Sequence, residues 1–517
     1  MGRSPSPSSS DPETQQIGDV VKSEQSGSSV LIDDVLEKRV WRKLDLYVLP
    51  VVAIFYLLSF LDRTNLGNAR VAGLQKDLKM TDKQYSISLT VTYVPYIVAE
   101  LPSNLLLKTV GPNLMLPAML ALWGVVTTLQ GVVKSYSGLL AARFFLGMLE
   151  GGVFPGLVLY LSFFYPRQRL QWRISAFFSA ASLSGAFSGL LAFGIINMDG
   201  IGNKPGWSWI FILEGLFTVL FGLVSFLLLP RSPRHAYFLN EQEKDYIVAK
   251  LKEDGVEGRD PSIDAFSWRE VGKAFMLPQI WFLAVVLFCD GTVLYGLAYF
   301  SPSIVQGLGF TASRAQLMTV PPFAAAFVGM SHLLQPFECR LNHFSLRLLL
   351  LFSAATISAW ISDRYHCRGL ILMLSSLMCV IGFAMFLGST KHNVQYGSLF
   401  FSIPGTYIVA PTVSTWLANN ATPHTRRATA IAIGFILTNS GGILATWLLG
   451  SLSPPPRYTK ATITLLVFSV FMVVFSGLNL YYLWDQNKKK KENRKTMTRE
   501  QEDPTLGDRS AWFEYNL

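Results

Sequence analysis

Four charged residues lie in or beside long apolar segments of this sequence, where they can bind protons and anions. Asp62 and Arg63 follow the apolar run that ends at Leu61, and Arg143 and Glu150 lie seven residues apart in another run. Seven residues make about two helical turns, so Arg143 and Glu150 share a helix face. A carboxyl group in a low-dielectric site can take up a proton, whereas a facing guanidinium opposes that uptake and can bind an organic anion bidentately.

We therefore predict a device that couples the two events, because an anion that occupies the guanidinium of an arginine would leave the opposing carboxylate free to take up a proton. The structural alternative is that Asp62 lies at a cavity mouth and that Arg143 simply pairs with it. Asp290, in a later apolar segment, is a further intramembrane acid. Each such charge in hydrocarbon needs a partner or a water-filled cavity.

The composition places these residues in a membrane protein. Of 517 residues, 50% are hydrophobic and only 15% are charged, against about 25% charged in ordinary soluble domains. Mean hydropathy is +0.35. Apolar segments of membrane-spanning length lie at about 44–61, 85–107, 114–133, 138–164, 174–198, 207–229, 279–300, 370–388, 394–417, 428–450 and 460–484, with an irregular one between 311 and 362. We predict an all-α polytopic membrane protein of twelve transmembrane helices arranged as two six-helix bundles.

The charge pattern divides the chain and orients it. We predict a disordered cytosolic tail (1–43), an N-terminal bundle (44–229), a cytosolic central loop (230–278), a C-terminal bundle (279–484) and a basic cytosolic tail (485–517). The central loop contains a predicted amphipathic helix, Leu239 to Leu251. Lys and Arg are more frequent in the segments on the side of the termini, so both termini are predicted to be cytosolic. The net charge of +10 thus reflects topology and not nucleic-acid binding.

Residues 329–354 interrupt the eighth segment with ionisable groups, which makes this a poor membrane helix. One interpretation is a metal site formed by His332, Cys339 and His343, and another is a re-entrant or loop element. We favour an unspliced intron, because Gly329 to Ser331 and Phe352 to Ala354 can be encoded by splice-site sequences in one frame. Removing it deletes 25 residues net, which is also the surplus relative to the matching segment of the first half.

Several polar and aromatic residues in the spans are candidates for lining a substrate cavity. Tyr93 and Tyr96 lie in the second span, Trp416 and Asn419 in the tenth, and Asn439 in the eleventh. The alternative is a packing role, as for the glycines of the fifth and eleventh spans. No span contains a clustered nucleophile, a histidine pair or a metal-ligand set, so we predict no catalytic residues, no metal and no enzyme activity.

The sequence resembles the major facilitator superfamily and, within it, the fungal allantoate permease group of anion:cation symporters. The motifs that carry the resemblance lie between residues 41 and 485: Leu61 to Arg70, Glu100 to Asn104, Arg143 to Gly156, Arg231 to Arg234 with Phe238-Leu239, Ser362 to Arg368, Asn419-Asn420 and Arg426 to Ile431. The resemblance implies two bundles that rock about a central site. It implies Arg63 as the ligand of the substrate carboxylate, Asp62 and Glu150 as proton carriers, and Arg143 as their counter-charge. Asp363 and Arg364 retain the gating pair of the superfamily, which Lys108-Thr109 replaces in the first half.

The function that follows from the resemblance is proton-coupled uptake of a small organic monocarboxylate similar to allantoate, nicotinate, pantothenate or biotin. The expected partners are that substrate, protons and the lipid bilayer, with no cofactor beyond the proton gradient and a monomeric chain. The expected location is the plasma membrane, with a vacuolar or other internal membrane as the alternative. On the same fold the chain could instead export a fungal metabolite or act as a non-transporting nutrient sensor.

Overall fold

The described part of the chain is helical. The structure is a computed structural model that describes residues 36–253, 268–333, 368–422, 424–454, 457–495, 502 and 507–517. Within these ranges twelve long helical elements follow one another: α1 Leu49–Val71, α2 Asp82–Val110, α3 Pro112–Gln130, α4 in two segments Tyr136–Glu150 and Val153–Ser162, α5 Arg167–Ile195, α6 Gly206–Leu228, α7 Pro278–Gly307, α8 Ala312–Leu333, α9 Arg368–Gly388, α10 His392–Asn419, α11 His424–Gly450 and α12 Thr459–Asn493. No strand occurs in the described ranges, so the predicted all-helical fold is confirmed.

Short helices connect or flank the long ones. These are Leu74–Asp77, Ile196–Met198, Ile201–Asn203, Pro233–His235, Glu241–Glu253, Trp268–Phe275 and Gly507–Arg509. The helix Glu241–Glu253 lies where the sequence predicts an amphipathic helix, and it buries Ile247, Val248 and Leu251. Its remaining surface is mostly charged, which suits a helix outside the hydrocarbon.

Nine of the described helices are long and apolar enough to cross a membrane. The other three long helices, α2, α8 and α10, each carry two interior prolines. Proline removes a backbone hydrogen bond, and a membrane helix tolerates this where neighbouring helices compensate. Each of these three helices contacts a helix of the other bundle: α2 contacts α11, and α8 and α10 both contact α5. They therefore lie close to the centre of the molecule.

The helix pairings repeat at an offset of six, as two related bundles require. Within α1–α6 the pairs are α1 with α5, α2 with α4, and α3 with α6, and within α7–α12 they are α7 with α11, α8 with α10, and α9 with α12. Between the bundles α1 contacts α7, α2 contacts α11, and α5 contacts α8. Exchanging the bundles maps this set of contacts onto itself, so the two halves are related by a pseudo-twofold axis.

The bundles have two ends. We call the end that carries residues 36–47 and 507–517 the terminal face, and the other end the opposite face. Towards the opposite face the bundles are in close contact: a side chain at Gly67 would collide with the carbonyl oxygen of Tyr299, and one at Gly450 with the hydroxyl of Ser86. The molecule is therefore closed towards the opposite face.

Three predicted boundaries differ from the structure. The first span was expected to end near 61, but α1 continues to Val71 because its polar residues, including Asp62 and Asn65, are buried against other helices. Residues 36–43 are helical, since Val40 and Trp41 are buried. The last span was expected to end near 484, but α12 continues to Asn493. Residues 507–517 of the predicted tail pack on the terminal face, where Asn516 accepts a hydrogen bond from Trp416 Nε1 at 2.8 Å.

Candidate functional site

A buried ion pair joins α1 to α4 in the middle of the N-terminal bundle. Arg63 Nη2 donates to Glu150 Oε1 at 2.7 Å, and the hydroxyl of Ser59 donates to the same oxygen. Arg63 is 8% exposed and Glu150 is 2% exposed. Glu150 is the last residue of the first α4 segment, directly before Gly151 and Gly152, which pack against α2 where a side chain would collide. The glycines thus bring this end of the segment close to its neighbours.

Aromatic rings surround the guanidinium of Arg63. Its central carbon lies 5.0 Å from the ring centre of Phe60, 5.6 Å from that of Tyr96 and 5.2 Å from that of Tyr295. Arg63 Nη1 also donates to the Tyr295 hydroxyl at 3.0 Å. Tyr295 belongs to α7, so this one arginine contacts both bundles. Such rings stabilise a cation in a poorly solvated site while leaving its N–H groups available.

Asp62 points to the other side of α1. Its Oδ2 accepts hydrogen bonds from the indole of Trp123 and, at 2.8 Å, from the hydroxyl of Thr127, both on α3. Arg143 lies close enough to interact electrostatically with Asp62. Its Nε and Nη2 are nevertheless buried without a hydrogen-bond partner, and Phe211 packs 5.8 Å from its guanidinium carbon. Within the described residues, Arg143 thus interacts with Asp62 electrostatically and keeps two nitrogen groups without a hydrogen-bond partner.

A third acid, Glu214 on α6, joins this group and was missed by the sequence analysis. Asn65 donates to Glu214 Oε2, and Glu214 interacts electrostatically with both Asp62 and Arg143. The available signal was simple, since Glu214 is an acid in the middle of an apolar span and such a residue is costly unless it is functional or paired. We call Asp62, Arg63, Arg143, Glu150 and Glu214 the charge cluster.

The charge cluster has unused bonding capacity and an excess of acid. Among the described residues, one oxygen of each carboxyl group has no hydrogen-bond partner: Asp62 Oδ1, Glu150 Oε2 and Glu214 Oε1. Three carboxylates and two guanidiniums would leave one net negative charge in a poorly solvated region, which is costly. The cluster is therefore suited to hold one proton at rest, on whichever acid has the weakest support for its charge.

The contacts favour Glu214 as that acid. Glu150 accepts a hydrogen bond from a guanidinium, and Asp62 accepts two hydrogen bonds from neutral groups. Among the described residues, Glu214 accepts one hydrogen bond, from the neutral amide of Asn65. Hydrogen bonds from charged groups stabilise a carboxylate about twice as strongly as those from neutral groups.

A central cavity lies between the bundles on the terminal-face side of Tyr295. About 480 Å³ of space not occupied by atoms lies within it, part of which is continuous with open solvent. Its walls come from α1, α5, α7, α10 and α11, and the lining includes Phe60 and Tyr295, the two residues that also contact Arg63. Asp290 lies in its wall. The side chains of Phe60 and Tyr295 therefore separate the cavity from Arg63 of the charge cluster.

The other predicted site residues lie at different distances from this centre. Tyr96 packs on Arg63, and Tyr93 packs edge-on against Tyr295 at 5.6 Å and bonds to the Tyr299 hydroxyl at 3.3 Å. Asn439 is buried on α11, next to Thr438 of the cavity wall.

Trp416 and Asn419 lie in the last turn of α10, where Trp416 bonds to the C-terminal segment and not to the charge cluster. Their predicted role in substrate binding thus has no contact that supports it. The predicted gating residues Asp363 and Arg364 lie outside the described residues, as does nearly all of segment 329–354.

Two pseudosymmetric six-helix bundles around a central cavity with buried ionisable groups define a polytopic membrane transporter. The sequence profile of the Major Facilitator Superfamily matches residues 52–446. This chain belongs to the major facilitator superfamily.

Individual relatives agree with that assignment. The chain is 34% identical to an uncharacterised transporter of Schizosaccharomyces pombe, over 92% of this chain and 89% of that protein. It is 33% identical to the high-affinity nicotinic acid transporter of Saccharomyces cerevisiae, over 88% of this chain and 80% of that protein. Among solved structures it resembles a bacterial homologue of the human lysosomal transporter Spinster in an inward-facing, unoccupied conformation. That match has a TM-score of 0.62 and 16% identity, covers 84% of this chain and 96% of the other, and shows the fold alone.

Proposed function

We propose that this transporter is a proton symporter that takes up a small organic monocarboxylate, as in the allantoate permease group. The observation that carries the proposal is the Arg63–Glu150 ion pair, which is buried beside the central cavity. A guanidinium is the side chain best suited to bind a carboxylate bidentately. At present its partner is a carboxylate of the protein, for which a substrate carboxylate can substitute.

The exchange of partners couples the anion to a proton. When a substrate carboxylate binds Arg63, Glu150 loses the guanidinium that stabilises its charge, and the charge cluster gains one negative charge. Neutrality is restored when Glu150 takes up one proton, for which its unpartnered Oε2 provides the position. The predicted stoichiometry is therefore one proton for each monocarboxylate, and the transport step is electroneutral.

The conformation of the bundles is consistent with alternating access. The contacts at Gly67 and Gly450 close the opposite face, whereas the cavity lies on the terminal-face side of the charge cluster. If the basic residues near the termini mark the cytosol, this conformation is one that releases substrate inward. Placing the protein in the plasma membrane then gives uptake down the inward proton gradient.

The nature of the cavity and one relative favour a small, flat acid. Six aromatic rings line the cavity: Tyr56, Phe60, Phe178, Tyr295, Tyr407 and Phe435. A relative that shares a third of its residues with this chain is named as a transporter of nicotinic acid, an aromatic monocarboxylic acid. Nicotinate is accordingly the first substrate to test, followed by allantoate, pantothenate and biotin.

The test is uptake of these four labelled acids by yeast that lacks its own permeases. Cells express the full sequence or a form without the 25-residue surplus within 329–354, and uptake is measured at pH 5 and pH 7.5. We expect one acid to accumulate faster at pH 5. Arg63→Ala, present at the cell surface in equal amount, is the matched control and is expected to show none of this uptake.

Three outcomes would contradict the proposal. Uptake that does not depend on pH would exclude proton symport. Uptake that survives in Arg63→Ala would exclude Arg63 as the carboxylate ligand. If neither form imports any acid although both reach the surface, the export or sensor function becomes the better hypothesis.

A further inference from the structure

Asp290 is a buried acid in the C-terminal bundle with half of its bonding capacity unused. It lies on α7 and has no exposed surface. Its Oδ1 accepts a hydrogen bond from the hydroxyl of Thr406 on α10 at 2.7 Å, whereas its Oδ2 has no hydrogen-bond partner within the part of the chain that the structure describes. An unsatisfied buried polar atom destabilises a folded protein. Buried polar atoms of native proteins normally have a hydrogen-bond partner, so the oxygen of Asp290 is expected to bind one.

Asp290 differs from the acids of the charge cluster in its surroundings. Glu150 forms an ion pair with the guanidinium of Arg63, whereas Asp290 accepts its hydrogen bond from a neutral hydroxyl. A lone carboxylate in this environment is costly, so Asp290 is expected to carry its proton when the cavity is empty. A protonated carboxyl group can donate one hydrogen bond from the oxygen that Thr406 leaves free.

Besides Asp290, the cavity offers a ligand the hydroxyls of its tyrosines, of which that of Tyr407 is buried without a hydrogen-bond partner among the described residues. The hydroxyls of Ser414 and Thr438 donate to the backbone of their own helices, to Ala410 O at 2.8 Å and to Gly434 O at 2.9 Å. The remaining walls are mainly aromatic rings and aliphatic side chains. A ligand that fills this cavity is therefore largely apolar and flat, and Asp290 is the one acid among the lining residues that can pair with a polar atom on it.

We propose that Asp290 recognises the ring nitrogen of a nitrogen-containing aromatic carboxylate. The ring stacks among the aromatic walls, its carboxylate binds Arg63, and its nitrogen shares a single proton with the unpartnered oxygen of Asp290. This pairing works whether the proton lies on the oxygen or on the nitrogen, and an acid that lacks the nitrogen leaves Asp290 unpaired. The inference rests on the proposed function and names the substrate class of the same site.

Asp290 and Tyr295 lie on the same helix, α7. Tyr295, which bonds to Arg63, follows Asp290 by five residues, so the two lie about 7.5 Å apart along the helix axis at 1.5 Å per residue. Both residues line the cavity, so a ligand within it is bounded on this side by Asp290 and Tyr295.

The test compares binding of nicotinate with binding of benzoate, which has the same shape but no ring nitrogen. The purified full chain in lipid nanodiscs is titrated with each acid by calorimetry. We expect wild type to bind nicotinate at least about tenfold more tightly than benzoate, because benzoate leaves a buried polar group unpaired. Asp290→Leu should remove this preference by weakening nicotinate alone, and Asp290→Asn, which can still donate to a ring nitrogen, should retain part of it.

Ser414 provides the matched control. Ser414→Ala changes another polar residue of the same cavity and should leave the ratio of the two dissociation constants unchanged. A ratio near one in wild type, or an unchanged ratio in Asp290→Leu, would overturn the inference while leaving carboxylate transport intact. If wild type binds and imports another acid of the panel but binds neither nicotinate nor benzoate, the role of Asp290 is excluded while the proposed carboxylate transport stands. If it imports no acid at all, the proposed function fails and the inference fails with it.

Discussion

The two bundles share one helix arrangement but carry different chemistry in their cores. The N-terminal bundle holds the charge cluster, in which three acids and two arginines interact across α1, α4 and α6. In the described part of the C-terminal half, Asp290 is the one ionisable Asp, Glu, Lys or Arg residue buried in the cavity wall, and the others that are buried, Arg426, Lys490 and Asp508, lie at the terminal face. Under our proposal the first bundle manages protons and the carboxylate, while the second contributes shape and specificity.

The strongest test of this division is removal of Arg63. We expect Arg63→Ala to lower uptake by about 100-fold or more, because two charge-assisted hydrogen bonds of roughly 1.5–3 kcal/mol each are lost. The measurement is initial uptake of the transported acid by cells with equal surface expression. Arg63→Lys keeps the charge but not the bidentate geometry and should recover only a small part of the activity. Activity above a tenth of wild type in Arg63→Ala would place the carboxylate site elsewhere.

The acids of the charge cluster should differ from one another. Glu150→Gln cannot bind the coupling proton, so we expect concentrative uptake at pH 5 to fall by about tenfold or more while exchange of internal for external substrate persists. Glu214→Gln imitates the protonated acid of the resting state and should keep uptake within a few-fold of wild type. Counterflow and net uptake in proteoliposomes separate these effects. The opposite order of the two variants would reassign the resting proton to Glu150.

The interface between the bundles gives a smaller effect. A methyl group at Gly67 would collide with the backbone of Tyr299 on α7, so Gly67→Ala should hinder closure of the opposite face and slow uptake, by about tenfold. Gly194→Ala is the matched control, because a methyl group there meets no atom within 4 Å. Equal uptake rates in the two variants would show that closure does not depend on this contact.

The fold could be predicted from the sequence because hydrocarbon imposes a simple requirement. Each span must be long, apolar and helical, and this pattern is visible without knowledge of any contact. The ends of spans are harder to predict: α1 extends past Leu61 because Asp62 and Asn65 are buried by other helices. Burial of a polar residue depends on neighbours that are distant in sequence.

The candidate site was predictable only in part, for the same reason. Asp62, Arg63, Arg143 and Glu150 are conspicuous as charges in apolar segments, and the structure brings them together. Glu214 carries the same signal, but its membership depends on α6 packing beside α1 and α3, which no local pattern shows. Tyr295 was missed because an aromatic residue in an apolar span is unremarkable until Arg63 is found to bond to it.

The smallest effect concerns the charges that the C-terminal bundle keeps at its terminal face. Glu270, on the short helix before α7, accepts hydrogen bonds from the buried Arg426 and, at 2.6 Å, from Lys273. Burial alone would raise the pKa of Glu270, but the bonds from Lys273 and Arg426 outweigh it and hold the pKa below its usual value of 4.5. A lowered pKa in the folded state means that this carboxylate stabilises the fold above about pH 4.5 and ceases to do so as the pH falls through the folded pKa.

Glu270→Gln should therefore lower the thermal unfolding midpoint by a few degrees at pH 7, and the difference from wild type should shrink as the pH is lowered below 4.5. The loss is limited because Arg426 keeps Asp508 as a second buried partner. Glu241→Gln is the control, since the Glu241 side chain is 86% exposed and an exposed ion pair contributes little. The measurement is thermal unfolding of the purified chain in detergent. A difference that does not change with pH would mean that the Glu270 charge is not what stabilises this face.

Uptake should be nearly unchanged in Glu270→Gln, because these charges stabilise the fold without contacting the cavity. A large loss of uptake would show that the terminal face of the C-terminal bundle takes part in transport.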